Sequence, residues 1–340
     1  VGDRLQRIWT GTVRIAPHRG DHRVAIRAAV SVAVPLLALW ALGRLDLSVY
    51  ATFGAFAGLY GRFDRYADRV RMQLAAGGTM IAAMLIGTAL AVSGVPAIVS
   101  VIVVAAVAAA VTALAQAARW HPPGALFAVF AAGATATLPA DPLGFVEVLV
   151  VGGAGAVFSV LVTATIAAVR RGPRVLLAPA ERRPAPVDAV VAATVGVGAA
   201  LAGIAGLTFV GTHWYWAMVA AVAALGGPHV NARIARGVQR LAGTLAGVLV
   251  AAGLLSLHLP PVATIAVAVL CQMGAELFIS RNYGIAMVFI TPLALLMIEL
   301  AVPADPAQLL RDRVLDTVIG VLIGTAVAVG SAAIRRPRAG

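Results

Sequence analysis

Near its end the chain reads RDRVLDTVIG, and the acids here sit where an acid is expensive. Asp312 and Asp316 are four residues apart, so a helix places them on one face, with Arg311 and Arg313 beside them. Asp316 lies about a turn and a half into a strongly apolar run. An ionisable group at that depth faces a bundle interior or an aqueous cavity rather than lipid. Asp316 is therefore the candidate for a proton-carrying carboxylate, with Arg313 or Arg311 placed to neutralise one of the two acids, and the competing reading is a structural ion pair. Arg27, Glu147, Glu276 and Glu299 also lie at or inside apolar runs, the three Glu near run ends within reach of water.

Aromatic residues form the second group. Tyr50, Phe53, Ala57 and Tyr60 share one helical face, while Gly54, Gly58 and Gly61 share another that admits close helix approach. His213-Trp214-Tyr215-Trp216 opens a corresponding segment later in the chain. The aromatic face and the Trp and Tyr residues of 213–216 read either as platforms that stack on a planar ligand or as an interfacial aromatic belt. Arg240 opens RLAGTLAG, with Gly243 and Gly247 one turn apart. It reads as a topology anchor or as an anion attractor at a cytoplasmic mouth, and Ala75 stands at the equivalent place in the first half. His121-Pro122-Pro123-Gly124 and Pro292 interrupt two further runs, as a kink or as freed backbone at depth.

Enzyme chemistry has no foothold. The sequence holds no G-x-S-x-G, H-E-x-x-H or G-x-G-x-x-G signature. With no Lys at all there is no Walker-type phosphate loop. Cys271 is the only cysteine, which excludes an internal disulfide and a thiolate metal site. His18 and His22 are four apart in a polar arm without a third ligand. The reading is of a chain that is not an enzyme and has no metal or other cofactor.

The elements that must position these residues follow from composition. Of 340 residues, 61% are hydrophobic and 12% charged, too few polar side chains to cover a soluble globule of this size. Continuous apolar runs rich in Ala, Val and Leu read as helices, not as alternating barrel strands. About twelve such runs fall at 24–43, 47–61, 74–93, 95–117, 122–139, 143–169, 187–209, 212–228, 240–257, 260–279, 282–301 and 311–334. The first begins after 23 residues with five Arg and is followed by many more, which reads as a membrane span and not as a cleavable leader.

All 26 basic residues are Arg, and the net charge is +12. In a soluble protein that excess points to nucleic acid; here it is assigned to cytoplasmic loops, and no nucleic-acid partner is expected. With both termini in the cytoplasm, 23 Arg fall inside and three (Arg44, Arg311, Arg313) outside, the bias that sets topology. Removing one helix would destroy it.

The chain also repeats itself. LSVYATFGAFAGLYG (47–61) aligns without gaps on THWYWAMVAAVAALG (212–226), and the same shift carries Arg71 onto Arg236 and Gly78-Thr79 onto Gly243-Thr244. The expected architecture is an all-α integral membrane protein of two six-helix repeats in the same orientation, related by a pseudo-twofold axis along the membrane normal. The units are 1–169 with a cytoplasmic arm and 187–340, joined by the Arg- and Pro-rich linker 170–186. Short second spans in both halves, 47–61 and 212–228, point to a transport site between them.

At these residues the chain resembles the fusaric acid resistance (FUSC) family, related to aromatic acid exporters. The resemblance spans both halves and is clearest in YWAMVAAVAALGGPHVNARIARGVQRLAGTLAG (215–247) and RVLDTVIGVLIG (313–324). These are similar to the family's Tyr-Trp helix entry, its Arg-x-x-Gly-Thr motif and its Arg-x-x-Asp-Thr-x-x-Gly motif. The resemblance carries over to Tyr215, Trp216, Arg240, Gly243, Thr244, Arg313, Asp316, Thr317 and Gly320. The first half keeps Tyr50, Gly78 and Thr79 without the Trp and the Arg, and the cytoplasmic domain of many larger members is replaced by the short linker. The resemblance implies export of aromatic carboxylic acids across a bacterial inner membrane. Plant aluminium-activated malate transporters look like distant relatives.

The resulting expectation is a proton-linked secondary transporter of the cytoplasmic membrane that exports small organic, aromatic or other carboxylate anions. Tyr50, Tyr215 and Trp216 contact the anion, Arg240, Arg27 and Thr244 hold it, and Asp316 with Arg313 couples the proton. A passive anion channel and a non-transporting envelope scaffold are the rival readings. The expected partners are the anion, the bilayer and possible further copies of the chain.

Overall fold

The computed structural model describes residues 9–17, 20–178, 184–227, 229–302 and 304–334. Arg4, Arg7, His18, Arg19, Arg182, Arg183, Arg335, Arg336 and Arg338 lie outside the described residues, as does the middle of the linker. The described chain is all helix and loop. Nine helices among the described residues are long and apolar enough to cross a membrane, and three more are apolar but shorter. In chain order they are α1 (Asp21–Ala41), α2 (Leu45–Leu59), α3 (Tyr66–Val92), α4 (Ala97–Ala117), α5 (Leu126–Thr137) and α6 (Leu143–Arg171). The second six are α7 (Ala189–Phe209), α8 (Tyr215–Leu225), α9 (Val230–Ser256), α10 (Pro261–Phe278), α11 (Tyr283–Ala301) and α12 (Pro306–Ile334). Each helix falls on one of the twelve apolar runs.

Length separates the expectation from the finding. A bilayer core of about 30 Å needs about 20 helical residues. α2 has 15 residues, α5 has 12 and α8 has 11, or roughly 22, 18 and 16 Å at 1.5 Å per residue. These three do not cross alone. The two short second helices instead occupy the protein interior: every residue from Leu47 to Leu59, and every residue from Tyr215 to Leu225, is buried. A helix shielded from lipid on all sides is free to end at depth, provided its terminal carbonyls find donors.

Arginines and a glutamine supply those donors. At the end of α2, Arg27 Nη2 and Gln73 Nε2 donate to the Gly58 carbonyl at 3.3 and 3.1 Å, and Gln73 also donates to the Tyr60 carbonyl. Arg69 donates to the carbonyls of Gly61, Arg62 and Asp64. Beyond α8, Arg233 Nε donates to the Gly227 carbonyl at 3.0 Å. Each short helix therefore ends in a loop tied by cations from the helix that follows it, where the helix dipole also favours positive charge.

Glycines set the approach of neighbouring helices. A β-carbon on Gly243 of α9 would run into the Gly284 carbonyl of α11, and one on Gly320 of α12 into the Ala217 carbonyl of α8. In the first half, a β-carbon on Gly155 of α6 would meet the Ala51 carbonyl of α2 at 2.6 Å. α9 packs on α11 as α3 packs on α5, α8 on α12 as α2 on α6, and α7 on α8 as α1 on α2. Contacts between the two sets are reciprocal as well. α4 meets α7 where α10 meets α1, and α5 meets α8 where α11 meets α2. That is the pattern of a self-complementary interface between similar units.

Candidate functional site

Between the two sets of six lies a cavity of about 630 Å³, within the range that holds small organic ligands. At one end its walls are loop residues: Arg62 and Phe63 after α2, His121 to Gly124 before α5, Gly226 and Gly227 after α8, and Ser280 before α11. These loops follow even-numbered elements, so they share the Arg-rich face. The cavity runs inward to Thr52, Met297 and Arg313. There Thr52 Oγ1 lies 3.5 Å from Met297 Sδ, a contact between the two sets.

Its chemistry is split between the halves. The first half contributes Phe53, Phe56, Phe127 and Phe130, packed edge to face, with Phe53 and Phe130 centroids 5.1 Å apart at 76°. The second half contributes Arg233, Arg236, Arg240, Tyr283 and Arg313. Arg233, Arg236 and Arg240 fall at i, i+3 and i+7, one face of α9. Arg240 stands ten residues, about 15 Å, inside the α9 start. It donates to the Tyr283 hydroxyl at 2.8 Å, while the Arg236 guanidinium lies 4.0 Å from the centre of the same ring. Arg313 enters from the opposite end of the bundle, seven residues or about 10 Å along α12.

Arg313 is the most telling group. It is 1% exposed, and its guanidinium lies 5.3 Å from the centre of the Trp216 ring. Its Nε and Nη1 are buried with no hydrogen-bond partner among the described residues, as is Nε of Arg240. Buried cationic donors left unsatisfied at a cavity wall can donate to the oxygens of an anion. Asp316, one turn further along α12, is fully buried, and neither of its oxygens has a hydrogen-bond partner among the described residues. The expected Arg313–Asp316 pair is thus not formed. Asp312, one turn earlier on the same face, pairs with His213 Nδ1 at 2.8 Å.

Of the residues expected to touch a ligand, only Arg240 lines the cavity and the others stand behind its wall, while Arg313, expected to act with Asp316 on the proton, lines the cavity instead. Tyr50 is buried at α2, outside the lining. Tyr215 stacks on Phe130 at 5.9 Å, and Trp216 stacks on His213 at 4.5 Å and 11°. Trp214, Tyr215 and Trp216 are at most 2% exposed, so they form no lipid-facing belt. Thr244 is buried in α9 beside Gly243, and Arg27 is occupied with the end of α2. Glu276 pairs with Arg62 and Glu147 with Arg44. On the exposed far end, the hydrogen bonds that Arg44 donates to Asp46 and then to Glu147 raise its guanidinium above its ordinary range. Among the described residues, no group of three His, Cys, Asp or Glu is placed to hold a metal ion.

Sequence reasoning missed Tyr283 and, apart from Phe53 on the aromatic face of α2, the phenylalanine wall. The Arg233-Arg236-Arg240 stripe was the available signal for the first, because a cationic helix face at depth needs a facing partner. Phe56, Phe127 and Phe130 had none: apolar residues in an apolar protein do not announce which of them meet a cavity.

Residues 187–327 match the sequence profile of the family described as Fusaric acid resistance protein-like. The second six-helix set therefore carries a FUSC-like domain. Comparison with curated proteins and with solved structures gave no match.

Proposed function

We propose that the chain moves small organic carboxylates, aromatic ones foremost, out of the cell through this cavity. The observation that carries the reading is the pair of unsatisfied nitrogens on Arg313 at the cavity wall. The carboxylate is held by Arg313 and Arg240, and its ring rests on the Phe53–Phe130 wall in place of Tyr50 and Tyr215. Tyr50, Tyr215, Trp216, Thr244 and Arg27 act by holding the wall and the ends of the short helices. Asp316 carries the proton that links transport to the proton-motive force.

The reading places 1–169 and 187–340 as parallel repeats about an axis along the membrane normal, joined by 170–186. The chain spans a bacterial inner membrane with its Arg-rich face and both termini in the cytoplasm. The FUSC-like domain supports a transport role, and the reciprocal helix contacts support the symmetry.

A passive anion pore is the second reading, favoured by five Arg along one cavity. An anion leaving a negative interior gains about 2.3 kcal/mol per 100 mV without any proton. Flux of labelled benzoate in proteoliposomes under separately imposed pH and voltage gradients tests both. Saturable flux that follows the pH gradient, and loses that dependence in Asp316→Asn, is the expected result. Single-channel current indifferent to the pH gradient supports the pore, and no flux under any gradient supports a scaffold and overturns the transport reading.

A further inference from the structure

The segment that precedes α1 is bound to the protein through a row of its backbone groups. Gln239 Nε2 donates to the carbonyls of Gly11 and Thr12 at 3.3 and 2.9 Å, and Asn282 Nδ2 to those of Thr12 and Arg14 at 3.0 and 3.1 Å. Arg281 Nε donates to the Ala16 carbonyl at 3.0 Å, and the Ala16 amide donates back to the Arg281 carbonyl at 3.0 Å. With its backbone turned inward, the segment turns its large side chains outward. Trp9 is 68% exposed, Val13 49% and Ile15 50%, and Arg14 is exposed beside them. Residues 9–13 are helical, so Trp9 and Val13 share one face.

The level at which this happens identifies what covers those side chains. The anchoring residues Arg281 and Asn282 lie between the end of α10 at Phe278 and the start of α11 at Tyr283, where two apolar helices leave the hydrocarbon layer. A segment strapped across that boundary lies in the plane of the lipid headgroups. Outward Trp and aliphatic residues next to Arg are the composition that enters this layer. The sign of the headgroup follows from charge. From Arg4 to Gly20 the sequence holds four Arg and no acid, and basic segments beside a membrane are drawn to anionic lipid.

We propose that residues 9–17 form an interfacial strap that binds anionic phospholipid, with Trp9, Val13 and Ile15 in the headgroup–acyl boundary and Arg14 on the phosphates. The strap is held by Gln239 and Asn282, the immediate neighbours of the cavity residues Arg240 and Tyr283.

A nitroxide at position 15 (Ile15→Cys in a Cys271→Ser background) of the full chain reads its depth from its accessibility to oxygen and to a water-soluble nickel reagent. In vesicles of phosphatidylethanolamine and phosphatidylglycerol the probe is expected at headgroup depth. It is expected to shift toward water in phosphatidylcholine and at high salt, because screening acts over about 10 Å at 0.1 M. Trp9→Cys gives the same order if either site tolerates its label poorly. A probe that reads as water-exposed in phosphatidylglycerol, or as buried against protein in every lipid, overturns the strap. Equal depth in both lipids and both salts overturns its preference for anionic headgroups.

Discussion

Arg62 reaches from the loop after α2 to Glu276 on α10, Nη2 to Oε2 at 2.5 Å, joining the two six-helix sets across the cavity. Both side chains are only 9% exposed. Removing one partner of such a pair strands the other charge away from water, which costs about 3–5 kcal/mol. Arg62→Ala is therefore expected to lower the thermal midpoint of the purified protein clearly, while Arg62→Ala with Glu276→Gln recovers most of the loss. A single variant as stable as the parent would show that the pair does not join the halves.

Arg313 and Arg240 are expected to carry anion affinity. A hydrogen bond to a charged group contributes about 1.5–3 kcal/mol, which is roughly a ten- to hundred-fold change in dissociation constant. Arg313→Gln and Arg240→Gln should each weaken benzoate binding by that factor in calorimetry. Arg44→Gln, whose side chain is 47% exposed and paired with Asp46 and Glu147 on the far surface, should leave it unchanged. If all three behave alike, the cavity is not where the anion sits.

Much of this was legible before any coordinates. Apolar runs located every helix, because lipid demands an unbroken apolar surface and tolerates no ambiguity of period. The shortness of 47–61 and 212–228 set the two second helices apart, and the cost of charge at depth picked out Arg313 and Asp316, whereas Arg240 stood out only as an Arg at the inner end of its run. Side-chain direction was not legible. Tyr50 and Tyr215 looked like ligand platforms, but in an Ala- and Val-rich sequence nothing tells an aromatic ring that faces a cavity from one that packs on Phe130. Arg27 looked like an anion ligand because its role as the cap of α2 depends on an end 31 residues away. The Arg313–Asp316 pair failed for a related reason: spacing puts both on adjacent turns but leaves Arg313 a choice, and it takes the face of Trp216.

Equivalent Gly-Thr motifs in the two halves are expected to respond oppositely to one methyl group. A β-carbon on Gly78 of α3 meets nothing within 4 Å, whereas one on Gly243 of α9 strikes the Gly284 backbone. Gly78→Ala should be neutral or stabilise by about 0.4–1 kcal/mol through the unfolded state. Gly243→Ala must push α9 off α11, at about 1–3 kcal/mol, and should also loosen the Arg240–Tyr283 bond. Thermal midpoints of the two variants, measured side by side, check this. Equal effects would mean that the motif is used in the same way in both halves.

Asp316 offers the sharpest test of proton linkage. Its carboxyl is fully buried, its oxygens are without hydrogen-bond partners among the described residues, and its nearest packing neighbours include Gly206, where an added β-carbon would lie 2.9 Å from Oδ1. Asp312 and Arg313 share its helix, and Tyr215 and Trp216 face that region from α8, but Asp312 is engaged by His213 and Arg313 by Trp216. A buried carboxyl without hydrogen-bond partners is expensive to keep, and the proposed proton-carrying role accounts for it. Asn has nearly the same shape and no proton to release. Asp316→Asn is expected to change stability by less than about 1 kcal/mol and to abolish the pH dependence of benzoate flux while leaving saturable binding intact. A variant that fails to fold would mark Asp316 as a structural ion, and one whose flux follows pH as before would remove it from proton transfer.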